Sequence, residues 1–281
     1  MDEIQEIQAF ATQVRRDVLR MVHSAKSGHP GGSLGCADFV SVLYKKILKY
    51  DSANFTMDGI NEDLFFLSNG HVAPVWYSIM ARSGFFPIEE LSTLRQLGSR
   101  LQGHPTNHEG LPGIRIASGS LGQGLSVALG AAQAKKLNND NRLVFTLHGD
   151  GELDEGQIWE ALTYGAAKKI DNIISTIDYN QKQIDGPIKE VLDLLDLKAK
   201  FIAFGWEVLE MQGNDVANVI AVLEQAITKT GKGKPVAIIM HTEMGAGVDF
   251  MMGTHKWHGT TPNDEQLEIA LAQLPETLGD Y

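Results

Sequence analysis

The stretch His148-Gly149-Asp150-Gly151-Glu152-Leu153-Asp154-Glu155-Gly156, with a later Asp178-Tyr179-Asn180, combines carboxylates with small, adaptable backbone in the way a cation and a diphosphate require. Glycines on either side of Asp150 leave backbone N–H groups free to meet an anion, while its carboxylate offers a hard oxygen to a divalent ion. The apolar run Leu143–Leu147 ends just before this triplet, and a second run, Ile173–Ile177, ends at Asp178-Tyr179-Asn180. If both runs are parallel strands, their carboxyl ends share one rim, and Asp150 and Asn180 meet at one ion. Proton chemistry has its own candidates on three short loops: His29 in Ser27-Gly28-His29-Pro30-Gly31, His71 after Ser68-Asn69-Gly70, and His104 in Gly103-His104-Pro105. An imidazole titrates near neutrality and can exchange a proton with a developing alkoxide. For His29 alone a local loop hydrogen bond is an equally good reading, but three histidines in three such turns are harder to dismiss as packing than any one.

Positioning these residues calls for a doubly wound α/β fold, a mainly parallel sheet with helices on both faces. Glu152–Lys169 carries Ile158, Leu162, Gly165 and Ala166 on one helical stripe, which makes it the crossover between the two strands named above. Leu64–Leu67 reads as a buried strand leading to a helix over Ala73–Arg82, and Trp206–Leu209 and Pro235–Met240 are further strands around an amphipathic segment, Asp215–Thr228. Apolar residues at helical spacing from Ile4 to Val22 predict an N-terminal helix over about 2–25. Glycines and proline then interrupt the chain before a helix over Cys36–Leu48, and a last helix is expected over about 262–274. The whole of 1–281 reads as a single domain. Gly119-Ser120-Leu121-Gly122-Gln123-Gly124 runs into a small-residue helix, but its G-x-x-G-x-G spacing and the lack of a preceding strand argue against a dinucleotide fingerprint.

Composition narrows the classes. A formal net charge of −11 disfavours a nucleic-acid surface, which is built from clustered Lys and Arg. The first residues lack a basic, apolar leader, and no run approaches the roughly 20 apolar residues of a membrane span, so a soluble cytoplasmic protein without a membrane partner is expected. One cysteine, Cys36, excludes an intramolecular disulfide. His255 and His258 lie three apart near the end, but a zinc site would need further ligands at recognisable spacing.

Gly149-Asp150-Gly151 followed by Asn180 resembles the signature of thiamine diphosphate enzymes. The order Ser27-Gly28-His29-Pro30-Gly31, Ser68-Asn69-Gly70-His71, Gly103-His104-Pro105, Gly119-Ser120-Leu121-Gly122-Gln123-Gly124, Gly149-Asp150-Gly151 with Glu155-Gly156, Ile184-Asp185-Gly186 and His255 with His258-Gly259 resembles transketolases over nearly the whole chain. The resemblance implies thiamine diphosphate held through Mg²⁺, with Ca²⁺ or Mn²⁺ as substitutes. It makes Asp150, the Asn180 side chain and the Lys182 backbone carbonyl the metal ligands. It also sets Gly119, Ser120 and Leu121 beside the aminopyrimidine and Gly149, Gly151 and Glu152 against the diphosphate. His71 and His255 would stand near the diphosphate and reacting centre, His104 at the donor's terminal hydroxyl and His29 beside the reacting oxygens, while Glu155 would contact a partner's activating glutamate. Tyr179 departs from the paired asparagines often found at the signature's end.

Length is the larger departure. The chain resembles only the N-terminal diphosphate-binding domain, so the resemblance implies a split enzyme, an α2β2 assembly with a C-terminal subunit carrying the pyrimidine-binding domain. The expected activity is transfer of a two-carbon ketol unit from a ketose or its phosphate to an aldose or its phosphate. A carboligase acting on pyruvate or a branched sugar, a non-catalytic subunit that only holds cofactor and, less well, a magnesium-dependent phosphohydrolase are the alternatives.

Overall fold

The computed structural model describes residues 2–281. Asp2 opens the first helix, α1 (Glu3–Ala25), by accepting from the Gln5 backbone while the Gln5 side chain returns to the Asp2 backbone, which satisfies two N–H groups that a helix start leaves free. Lys26 in the left-handed region ends it. The apolar stripe Ile7, Phe10, Val14, Val18 and Val22 is buried, and so is Asp17, which takes the Ser78 hydroxyl at 2.6 Å and the Arg82 guanidinium, tying α1 to α4 (Ala73–Arg82).

The region after His29 departs from the sequence reading. Instead of an interrupting loop followed by one helix, the chain forms α2 (Pro30–Gly35) and α3 (Ala37–Val42), continued by a wider π turn over Leu43–Ile47. Pro30 occupies the first helical position, where its missing N–H costs nothing. Gly31 lets this short helix pack closely against another segment: a Cβ there would lie 2.7 Å from both Met244 and the Trp257 carbonyl.

Strands β1 (Leu64–Leu67), β2 (Val144–Gly149) and β3 (Ile173–Tyr179) alternate with α5 (Gly124–Leu137) and α6 (Gly156–Ala167). A short hairpin, β4 (Lys182–Gln183) with β5 (Gly186–Pro187), and helices α7 (Ile188–Val191) and α8 (Leu197–Ala203) come next. β6 (Glu207–Gln212), α9 (Val216–Lys229), β7 (Val236–His241) and α10 (Asp264–Gln273) complete the order. The main sheet is five-stranded, parallel throughout, in the order β1-β2-β3-β7-β6.

Side chains alternate across this sheet into two cores. Phe65, Leu67, Phe145, Leu147, Val236, Ile238 and Met240 face α1, α3, α4 and α9, whereas Leu64, Phe66, Val144, Ile173, Ile177, Ala237 and Ile239 face α5, α6 and α8. Burial on both sides explains why the strands are apolar runs rather than alternating patterns. The fold is thus the doubly wound α/β arrangement the pattern called for. No helix among the described residues is long and apolar enough to cross a membrane.

Candidate active site

The β2–β3 register sets Gly149 opposite Asp178, so the turns that leave the two strands lie side by side. Asp150 is buried at that edge, and its two oxygens accept from the backbone N–H groups of Gly151, at 2.8 Å, and Gln181, at 2.6 Å. Asn180 donates through Nδ2 to Asp178 at 2.9 Å and accepts through Oδ1 from the Lys182 N–H at 2.9 Å. Burial, reinforced by the neighbouring Asp178 carboxylate, pushes the Asp150 carboxyl well above the usual carboxylate range. Lys182 begins the β4–β5 hairpin, and its ammonium reaches Glu243 at 3.0 Å.

Glu152 is a staple for the loop before α5. Its buried carboxylate accepts from the Ser68 hydroxyl, from the Gly122 N–H at 2.7 Å and from the Gly149 N–H at 3.2 Å. Burial works against its charge, but His148, Ser68 and the Gly122 amide outweigh it and hold the carboxyl below its ordinary value. His148, to which the sequence assigned no role, lies beneath this staple, with Nε2 2.5 Å from the Thr146 hydroxyl and Nδ1 3.9 Å from Glu152. Gly119, farther along the same loop, has φ of +138°, and a Cβ on it would stand 3.0 Å from the His104 ring, so glycine lets the histidine loop close down.

The histidine loops converge. Ring centroids lie 5.1 Å apart for His29 and His71, 6.4 Å for His29 and His104, 5.5 Å for His29 and His258, and 5.2 Å for His71 and His258. Burial first, then neighbouring His258, Arg95 and His104, holds the His29 imidazole down at about 4. Burial and the other three rings hold His71 at about 3. His104 and His258 are lowered as well, chiefly by burial. At neutral pH these rings are uncharged and can each accept a proton or donate an N–H.

One cavity of about 260 Å³ joins the two features. Gly149, Asp150, Gly151, Asp178, Asn180 and Lys182 wall one part of it, and His29, His71, His104, His258, Gly119 and Leu121 line it as well. Glu152 also borders it, although its oxygens are engaged by the loop. Three sequence candidates stand apart from this lining. Ser120 and Glu155 are exposed, Glu155 beside Gly122 at the start of α6. His255 lines a neighbouring depression with Lys182 and Glu243. A tight turn, with the His258 N–H donating to the His255 carbonyl at 2.9 Å, aims the two rings at different places. His258 thus joins the imidazole cluster where the sequence reading put His255. The -His-Gly- pair at 258–259 was the available signal, with Gly259 packed beside the His29 ring. Asn69 and Ile184, named only as parts of motifs, line the cavity too, as do Met244 and Gln183, which no motif marked.

The donor set fits a hard cation bound together with an anion. Among the described residues no three His, Cys, Asp or Glu side chains form a metal cage, and an ion beside Asp150 would complete its shell with amide, backbone carbonyl and diphosphate oxygens. A divalent ion beside Asp150 would offset the burial, and with it the Asp178 repulsion, that raise its pKa.

The chain belongs to the transketolase family: residues 7–276 match its thiamine diphosphate binding domain. It is similar to one of the subunits of apulose-4-phosphate transketolase from Phocaeicola vulgatus, 37% identical over 278 residues that cover 98% of this chain and 96% of that protein. It is also similar to SqwG, a 6-deoxy-6-sulfo-D-fructose transketolase subunit of Clostridium sp., 37% identical over 96% of each chain. Among solved structures, transketolase from Campylobacter jejuni superposes with a TM-score of 0.88 at 35% identity, covering 97% of this chain and 43% of that one. The chain therefore spans nearly all of these subunit relatives but well under half of the solved transketolase.

Proposed function

We propose that this chain is the diphosphate-binding subunit of a two-subunit transketolase. In this reading a separate subunit with a pyrimidine-binding domain completes the site, in an α2β2 assembly, and a two-carbon ketol unit passes from a ketose or ketose phosphate to an aldose or aldose phosphate. The observation that carries the reading is a single cavity with the Asp150–Asn180 oxygens on one wall and four neutral imidazoles on another. The division into subunits is supported by relatives of matching length that are themselves named as subunits.

Asp150, the Asn180 amide oxygen and the Lys182 backbone carbonyl would hold Mg²⁺ against the diphosphate, and Gly149 and Gly151 would place backbone beside it. Leu121, on the loop that Glu152 anchors, would face the ring system. Bound there, thiamine diphosphate supplies an electron sink for breaking and remaking the carbon–carbon bond next to a ketose carbonyl. This chain's part is to manage protons and exclude water. His29, His71, His104 and His258, kept neutral by burial, can take a proton from a sugar hydroxyl and return it as the new bond forms, and their N–H groups can hold the sugar oxygens. Glu155, exposed beside Gly122, is available to a partner chain.

Reconstitution tests the proposal. Ketol transfer that depends on thiamine diphosphate and Mg²⁺ is expected only when the chain is mixed with its partner. Full activity of the chain alone would refute the split arrangement, and release of carbon dioxide from pyruvate would favour a carboligase.

A further inference from the structure

In the cation reading, one of the two side-chain ligands is an amide, and an amide offers a cation its oxygen in only one of two orientations. The surroundings of Asn180 select that orientation from both ends. Asp178, two residues earlier and buried, accepts from Asn180 Nδ2 at 2.9 Å. A carboxylate can only accept, so it takes the nitrogen end. On the opposite side the Lys182 backbone N–H can only donate, and it takes the oxygen end at 2.9 Å. Asp178 is itself held: its other oxygen accepts from the Thr242 hydroxyl, just past the end of β7.

Resting on the cation reading, we propose that Asp178 is a positioning residue for the cofactor's cation, fixing the Asn180 amide so that its oxygen faces the cavity. Thr242 keeps the Asp178 carboxylate from rotating, so strand β3 and the residue that follows β7 together determine one amide orientation. This assigns a role to the first residue of Asp178-Tyr179-Asn180. Partners behind a metal ligand typically change affinity by roughly 10–100-fold when removed.

The test uses Mn²⁺ as probe, its free concentration read by electron paramagnetic resonance, with the full chain, thiamine diphosphate and the partner subunit. Asp178→Asn is expected to weaken Mn²⁺ binding by roughly 10–100-fold. The reciprocal double variant Asp178→Asn/Asn180→Asp, which returns an oxygen to the cavity side with an amide behind it, is expected to recover most of that loss. No cofactor-dependent Mn²⁺ binding by the parent would refute the cation reading itself. Unchanged affinity in Asp178→Asn, or a weakened folded variant that the double variant does not rescue, would overturn the positioning role while leaving the cation reading intact. If Asp178→Asn fails to fold, the unaltered chain decides. With ¹⁵N-asparagine labelling, and Asn180→Asp to identify the signal, the Asn180 side-chain NH₂ should exchange with solvent far more slowly than a free amide. Exchange at the free-amide rate would overturn the proposal.

Discussion

Gly149 pairs with Asp178 across the β2–β3 ladder, and from that one register Asp150 comes to accept the Gln181 N–H at 2.6 Å. Residues far apart in sequence thereby form one oxygen-rich corner. Its charge is poorly tolerated in isolation, since burial and Asp178 both raise the Asp150 pKa.

This corner should make stability depend on pH. A carboxyl whose folded pKa is raised contributes stability below its unfolded value, about 4, and loses it as pH rises towards the folded value. Without a cation, thermal stability of the parent should therefore fall with rising pH above about 4 relative to Asp150→Ala. Mg²⁺ with thiamine diphosphate should restore it most strongly at neutral pH. Differential scanning calorimetry of both proteins at several pH values checks this. Parallel pH profiles for parent and variant would count against it.

The imidazole cluster has the opposite acid response. His29 and His71 titrate in the fold at about 4 and about 3. Lowered bases contribute stability above the unfolded histidine pKa, about 6.5, and lose it as pH falls from there through the folded values. Relative to His71→Asn, the parent should lose up to about 1.4 kcal/mol per pH unit below pH ~6. Urea unfolding at pH 7, 6 and 5 measures the difference, which should be smallest at the highest pH.

The two late histidines should separate kinetically. His258 lies 5.2 Å from His71 and 5.5 Å from His29, whereas His255 lines the adjoining depression. In the reconstituted enzyme His258→Ala is expected to lower turnover by roughly 10²-fold, the scale of a lost proton-transfer group, and His255→Ala by at least tenfold less. Equal losses would return His255 to the reacting centre.

Glu152 should prove structural before it proves chemical. Removing its carboxylate leaves the Gly122 N–H and Ser68 hydroxyl without an acceptor. Glu152→Ala should cost roughly 1–3 kcal/mol per buried donor left unpaired. Hydrogen exchange should show the Gly119–Gly124 loop opening first. Undiminished protection there would contradict the staple.

Much was legible in the chain alone because local rules and distant geometry agree for its strands. Apolar runs buried on both faces, the α6 crossover and the Gly149-Asp150-Gly151 turn all follow from short-range pattern, and the family resemblance supplied the expected cofactor and partner. The helix around Pro30 was hidden because Gly31 and Gly32 read as breakers, while their tolerance comes from a close contact with Met244, Trp257 and Val72 that only the packed chain creates. The short β4–β5 hairpin, two residues per strand, carries no periodic signal.

By itself the sequence determined which residue types border the cavity, since glycine-flanked carboxylates and histidine loops are local features at the ends of recognisable strands. Tertiary structure decided which of them meet. The β2–β3 register aligned Asp150 with the Asn180 turn, the turn after residue 253 chose His258 over His255, and Asp178 with Lys182 oriented the Asn180 amide. Those choices depend on strand pairing and on hydrogen bonds between groups distant in sequence, and neither residue type nor spacing encodes them.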